Sequence, residues 1–314
     1  MRPACSLVRT KTVEERHANT WRTPTTTDIS TLVAIVAVAL IAIRHRRRSA
    51  GTLTLSVAPK GMSLVGRLSL VTGGASGIGE ATCLALAGEG ATLVVADKKL
   101  EGAQKVTETL PGDAKHCAMY VDVADSASVD QLFHNVERTF SQPLSIVVNC
   151  AGIFAAAPFV ECSDELFDEV IRVNLSGTFL VARAAARHMV NAGNALPDGG
   201  AAIVNVASIM ARCGWPDVAA YCASKAAVVA LTKSAAQELA AHRVRCNVVL
   251  PGMTETPMIA GIPEEIKASG REAIPLKRCG KPREIAEAIK YLCVPAASSF
   301  ITGAALEVTG GFYM

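Results

Sequence analysis

The stretch from Leu68 to Asp97, LSLVTGGASGIGEATCLALAGEGATLVVAD, leaves few options for the chain that contains it. Apolar residues at Leu68, Leu70 and Val71 predict a strand, and Gly73, Gly74, Gly77 and Gly79 predict a tight turn. Ile78, Ala81 and Ala85 then recur at helical spacing on one face, and a second apolar run ends on Asp97. Strand, glycine turn, helix and strand make a βαβ unit whose turn can wrap a pyrophosphate. Glycines let the backbone come close to the phosphates, and the N-terminus of the following helix carries N–H groups and partial positive charge. A carboxylate about 20 residues past the turn can take both ribose hydroxyls of an adenosine, and it repels a 2′-phosphate. The stretch therefore points to NAD over NADP.

The rest of the chain repeats this alternation. Apolar strand candidates lie at Leu68–Val71, Ala91–Ala96, His116–Val121, Ser145–Asn149, Ala202–Ala207, Val244–Val249 and Ile301–Val308. Helical stretches separate them at Lys99–Leu110, Ser126–Phe140, Ser163–Val190, Ala219–Ala241 and Pro282–Cys293. The pattern predicts a single α/β domain over 62–314, a Rossmann-type doubly wound parallel sheet of about seven strands with helices on both faces. Asn191–Gly200 reads as a surface loop, and the less regular Gly261–Gly280 as a flexible lid over a substrate.

The formal charge of +3 hides a division: residues 1–61 carry +7 and the remainder carries −4. A mildly acidic globular part argues against nucleic acid as a partner. Ten cysteines without a C-x-x-C pair or metal-ligand spacing suit a reducing compartment, and most read as small core residues. The N-terminal extension has three readings. Arg2, Arg9, Arg16 and Arg22 among Ser and Thr resemble a mitochondrial presequence, although Glu14, Glu15 and Asp28 depart from it. The uncharged Ile29–Ile43, followed by Arg44, His45 and Arg46 to Arg48, is the outline of a membrane anchor. It is shorter than the roughly 20 residues of a bilayer span. Because Met62 could begin a complete enzyme, the extension is also readable as dispensable.

The residues that carry chemistry are Ser208, Tyr221 and Lys225. Tyr221 and Lys225 stand four apart in a helical stretch and so share a face. That spacing predicts an ammonium that lowers the phenol from about 10 toward neutrality, as a general acid or base requires. Ser208 follows the strand candidate Ala202–Ala207, at the sheet edge where open α/β folds bind ligands. Tyr-x-x-x-Lys alone occurs by chance on many helices; its position downstream of a nucleotide-binding unit is what gives it weight.

Taken together, Thr72-Gly73-x-x-x-Gly77-x-Gly79, Asn149-x-Ala151-Gly152, Asn174, Ser208, Tyr221-x-x-x-Lys225 and Pro251-Gly252 resemble the short-chain dehydrogenases/reductases of the classical type, in order and spacing, over essentially all of 62–314. The resemblance implies roles. Tyr221 would give or take the proton at the substrate oxygen, and Ser208 would hold that oxygen. Lys225 would bind the nicotinamide ribose, and Asn174 would hold a water linking Lys225 to solvent. Thr72, Gly73, Ser76, Gly77, Ile78 and Gly79 would form the phosphate turn. Asp97 would take the adenosine ribose, Asp122 and Val123 the adenine, and Asn149, Ala151 and Gly152 the floor beneath. Pro251, Gly252, Met253 and Thr256 would meet the carboxamide and phosphates. Cys150 replaces an Asn common in the family, and Lys98 and Lys99 are of the kind that attracts a 2′-phosphate in NADP-using relatives.

Arg245-Cys246-Asn247-Val248-Val249-Leu250-Pro251-Gly252, Thr256-Pro257-Met258 and the ending Glu307-Val308-Thr309-Gly310-Gly311 are similar to the type 8 branch of 17β-hydroxysteroid dehydrogenases, itself similar to bacterial 3-oxoacyl-acyl-carrier-protein reductases. This implies NAD-dependent chemistry on 3-hydroxyacyl thioesters and estradiol-like steroids. It also implies a tetramer, including a heterotetramer with a carbonyl reductase subunit in mitochondria. Acyl carrier protein would dock on Arg187 and the His242–Arg243 corner. Trp215 and Pro216 could wall an apolar substrate site. Two other readings stand beside this one: a membrane-anchored dehydrogenase of steroid or retinol type, and a dinucleotide-binding scaffold subunit without catalysis.

Overall fold

The computed structural model describes residues 63–313. The readings that rest on residues 1–61, including Ile29–Ile43, lie outside them, as do Met62 and Met314. Among the described residues no helix is long and apolar enough to cross a membrane.

Seven parallel strands form one sheet in the order β3-β2-β1-β4-β5-β6-β7. They are β1 (Leu68–Thr72), β2 (Thr92–Asp97), β3 (Cys117–Tyr120), β4 (Leu144–Asn149), β5 (Ala201–Val206), β6 (Val244–Pro251) and β7 (Ala305–Val308). The helices are α1 (Gly77–Gly88), α2 (Leu100–Thr109), α3 (Ser126–Thr139), α4 (Asp164–Ile171), α5 (Thr178–Ala192), α6 (Ala219–Leu239), α7 (Glu264–Ala273), α8 (Pro282–Cys293) and the short α9 (Pro295–Ser298). Every residue of β1, β4, β5 and β6 is buried, as continuous apolar strands covered on both faces must be. One core packs α3, α5 and α6 against the sheet, and a second packs α1, α2 and α8 against the other face. The order reverses between β1 and β4, where Thr72 pairs with Asn149, and Asn149 in turn pairs with Asn205 on β5. A crevice above such a reversal is where open α/β sheets take their ligands.

Four boundaries differ from the sequence reading. The stretch Ser163–Val190 is not one α-helix: α4, capped by the Ser163 hydroxyl accepting from the Leu166 N–H at 3.2 Å, passes through a π-helical turn at Arg172–Gly177 before α5. Helix α5 runs on to Ala192, into the expected loop. The expected irregular lid contains α7, a ten-residue helix that buries none of its residues and whose one large apolar side chain, Ile266, is exposed. The last strand starts at Ala305, because Gly303 has φ of 73° and its N–H is drawn to the Cys246 carbonyl at 2.8 Å.

Candidate active site and dinucleotide cleft

At the reversal lies a cleft of about 660 Å³, lined by the glycine turn, Asp97, Asp122, Val123, Ala151, Gly152 and Thr256. Its floor is built by close backbone approach. A Cβ on Gly79 would sit 2.1 Å from the Gly73 carbonyl oxygen. Gly73, at φ of 67°, lies so near Ala151 that a Cβ would come within 2.7 Å of the Ala151 nitrogen. These two positions exclude any side chain, and they leave the α1 N-terminus open to an anion. Thr256 stands over the turn, its Cγ2 3.2 Å from where a Cβ on Gly77 would be. A pyrophosphate therefore fits the cradle.

Asp97 is held in place by the main chain: its carboxylate accepts the Ala75 N–H at 3.1 Å and the Lys99 N–H at 2.8 Å. Lys98 does not turn toward it. The Lys98 Nζ pairs with Asp122 at 2.7 Å, and that hydrogen bond holds the Asp122 carboxyl below the usual carboxylate range. Arg172 and Glu169, which the sequence reading missed, complete this rim. Both belong to the stretch read as one continuous helix, three residues apart where α4 passes into the π-helical turn.

Beyond the cleft lie Ser208, Tyr221 and Lys225, all buried. Ser208 follows β5 and accepts the Met210 N–H at 3.2 Å, while Tyr221 and Lys225 project from the buried face of α6. The Lys225 Nζ donates to the Val206 carbonyl at 3.0 Å and lies 5.7 Å from the Tyr221 ring centre. Gly152 forms the adjoining wall, since a Cβ there would sit 3.4 Å from Nζ and 3.0 Å from the Asn174 Oδ1. Asn174 is engaged through both side-chain atoms: its Oδ1 accepts the Ile153 N–H at 2.8 Å, and its Nδ2 donates to the Ile153 carbonyl at 2.9 Å and to Ser224 at 3.2 Å. Its side chain clamps the Ile153 backbone.

The expected pKa pattern is corrected. Burial pushes the Tyr221 phenol up to about 12, against a smaller downward pull from the Ser208 hydrogen bond. Burial also pulls Lys225 down to about 8. Desolvation dominates, and the Lys225 ammonium spends its hydrogen bond on the Val206 carbonyl. Phe154, also missed, packs edge-on to Tyr221 with ring centres 5.1 Å apart, and its place two residues past Gly152 was the available signal. Asn149 points into the sheet, donating to Asn205 at 2.8 Å, so it braces the floor from below. Cys150, standing where an Asn is common, is a neutral thiol that burial pushes up to about 12. Thr72 supports the same floor through its hydroxyl, 3.5 Å from the Ala151 N–H.

A family model described as enoyl-(acyl carrier protein) reductase matches residues 73–313. With this fold and this site, the chain belongs to the short-chain dehydrogenase/reductase family. Among curated proteins it is 40% identical to a human (3R)-3-hydroxyacyl-CoA dehydrogenase, over 79% of this chain and 95% of that one. It is 38% identical to a 3-oxoacyl-acyl-carrier-protein reductase from Thermotoga maritima, over 80% and 99%. A solved short-chain type dehydrogenase/reductase from Mycobacterium marinum superposes with a TM-score of 0.72 at 34% identity, covering 80% of this chain and 97% of that one.

Proposed function

We propose that the chain is an NAD-dependent oxidoreductase that interconverts (3R)-3-hydroxyacyl and 3-oxoacyl thioesters. The observation that carries this reading is the buried Ser208, Tyr221 and Lys225 cluster at the carboxyl end of the sheet, beside a glycine cradle that ends on Asp97. The named activities of the mammalian and bacterial relatives support the substrate class. When bound, the nicotinamide supplies or accepts the hydride. The chain's own residues hold the substrate oxygen at Ser208 and move one proton there through Tyr221. With its phenol at about 12, Tyr221 is a proton donor at neutral pH, which suits reduction of a ketone. Oxidation needs the phenolate and so gains as pH rises. The engagement of Lys98 by Asp122, leaving Asp97 facing the ribose position, favours NAD.

The test is kinetic. A 3-hydroxyacyl thioester and estradiol are compared side by side with NAD and with NADP, for the wild-type chain and for Tyr221→Phe. The expected outcome is thioester turnover with NAD in the wild type and a loss of at least about a hundredfold in kcat in Tyr221→Phe, with NAD still bound. Turnover retained in Tyr221→Phe would remove the assigned role. Estradiol as the better substrate would replace the thioester reading, and preference for NADP would overturn the cofactor choice.

A further inference from the structure

The cleft rim at the ends of β2 and β3 is a charged corner, lined by Asp97, Lys98, Lys99, Asp122, Glu169 and Arg172. The two strands are in register there, with Asp97 opposite Tyr120, and the Val121 N–H donates to the Asp97 carbonyl at 3.1 Å. Asp122 leaves β3 one residue beyond that bond, beside the point where Lys98 leaves β2. An ammonium next to Asp97 is a group that a 2′-phosphate would attract. This one is already engaged, because the Lys98 Nζ binds the Asp122 Oδ2 at 2.7 Å.

How each partner is held decides which of them places the other. Asp122 is pinned where the chain turns into α3: its second oxygen accepts the Ala124 N–H at 3.0 Å, its own N–H donates to the Ser128 hydroxyl at 2.9 Å, and its carbonyl accepts the Asp125 N–H at 3.1 Å. The Lys98 side chain is 69% exposed, against 25% for Asp122, and among the described residues Asp122 is the hydrogen-bond partner of its ammonium. The carboxylate is the fixed half of the pair, and the ammonium goes where the carboxylate is. Asp97 gives one oxygen to the Lys99 N–H and the other to the Ala75 N–H, and Lys98 pairs with Asp122 instead. The shared hydrogen bond raises the Lys98 ammonium and lowers the Asp122 carboxyl from their ordinary pKa values, so both are charged at neutral pH.

We infer that Asp122 is a specificity-determining residue for the cofactor, which holds the Lys98 ammonium away from the place a 2′-phosphate would occupy. The inference rests on the proposed dinucleotide reading, in which the adenosine ribose meets Asp97. A 2′-phosphate that recruits Lys98 must break the pair and leave the Asp122 charge unpaired on the same rim. Discrimination against NADP is thus shared: Asp97 repels the phosphate, and Asp122 withholds the cation that would answer it.

The test uses Asp122→Asn, Lys98→Met and the double variant in the full chain, with dissociation constants for NAD and for NADP measured by calorimetry. Asparagine keeps an oxygen for the Ala124 N–H and removes only the charge. In Asp122→Asn we expect NADP to bind about fivefold more tightly relative to NAD, the size of one exposed charge pair. In the double variant that gain should vanish, since no ammonium is left to release. Lys98→Met alone should keep the ratio of the two constants within about twofold of wild type, because its ammonium is already withheld. A residue that merely shapes the adenine floor would weaken both dinucleotides by the same factor, and equal weakening in Asp122→Asn would overturn the inference. A gain for NADP that survives in the double variant would also overturn it, by assigning the effect to the lost Asp122 charge and not to Lys98. Both results leave the dinucleotide reading intact, whereas a wild-type chain that binds neither NAD nor NADP would overturn that reading and the inference with it.

Discussion

Lys225 is an ammonium with no carboxylate partner and one main-chain hydrogen bond, to Val206, in a fully covered position. Burial takes it from an ordinary 10.5 to about 8, which is about 3 kcal/mol held against its charged form. The unfolded chain keeps that proton up to about pH 10.5 and the folded chain only up to about pH 8. Folding at pH 7 therefore carries the full penalty, and the penalty disappears as pH rises from 8 to 10.5. Lys225→Met removes the charge but leaves the Val206 carbonyl without its donor, a loss of about 1–3 kcal/mol. The variant should melt a few °C higher than wild type at pH 7, with the gain shrinking toward pH 10.5 and turnover lost. A lower Tm at pH 7, unchanged by pH, would show that Lys225 stabilises the fold instead.

Between α4 and α5 the π-helical turn gives the same lesson at the level of the element. It carries Arg172 at the cleft rim, Asn174 against Ile153, and Gly177 against Val123, where a Cβ would sit 2.8 Å from Cγ2 and 3.1 Å from the carbonyl oxygen. Since Val123 lines the cleft, Gly177→Ala should push it toward the adenine position. The expected effect is a stability loss of about 1–3 kcal/mol, read by denaturant unfolding, and a weaker Kd for NAD. Unfolding unchanged from wild type would mean that Val123 yields freely. The strands, α1 and the Tyr221–Lys225 face were legible because burial on a regular period leaves a pattern. The π-helical turn was not, because one extra residue per turn over six positions barely disturbs a 3.6-residue period. Helix α7 was not legible either, since Glu264–Ala273 buries nothing and Ile266 is its one large apolar residue. The Asp97 carboxylate could be read from spacing, whereas the withdrawal of Lys98 to Asp122 depends on a fold that closes 24 residues of chain.

For the whole molecule, exposed aromatic side chains stand on several elements. Phe167 and Phe179 are exposed across α4 and α5, with the Arg183 guanidinium 4.9 Å from the Phe179 ring centre. Near β7, Phe300 is fully exposed, and Tyr291 and Tyr313 are exposed as well. Aromatic side chains grouped on a surface mark contact sites more often than isolated ones do. Two patches that each meet a copy of themselves close into a tetramer of dihedral symmetry, whereas one patch closes only a dimer. Sedimentation equilibrium of the wild-type chain is thus expected to give four times the chain mass. Phe179→Glu and Phe300→Glu should each leave dimers if each lies at the centre of a self-complementary face, and the double variant should then be monomeric. Monomers from the wild-type chain, or a tetramer surviving both substitutions, would assign these aromatics to some other role.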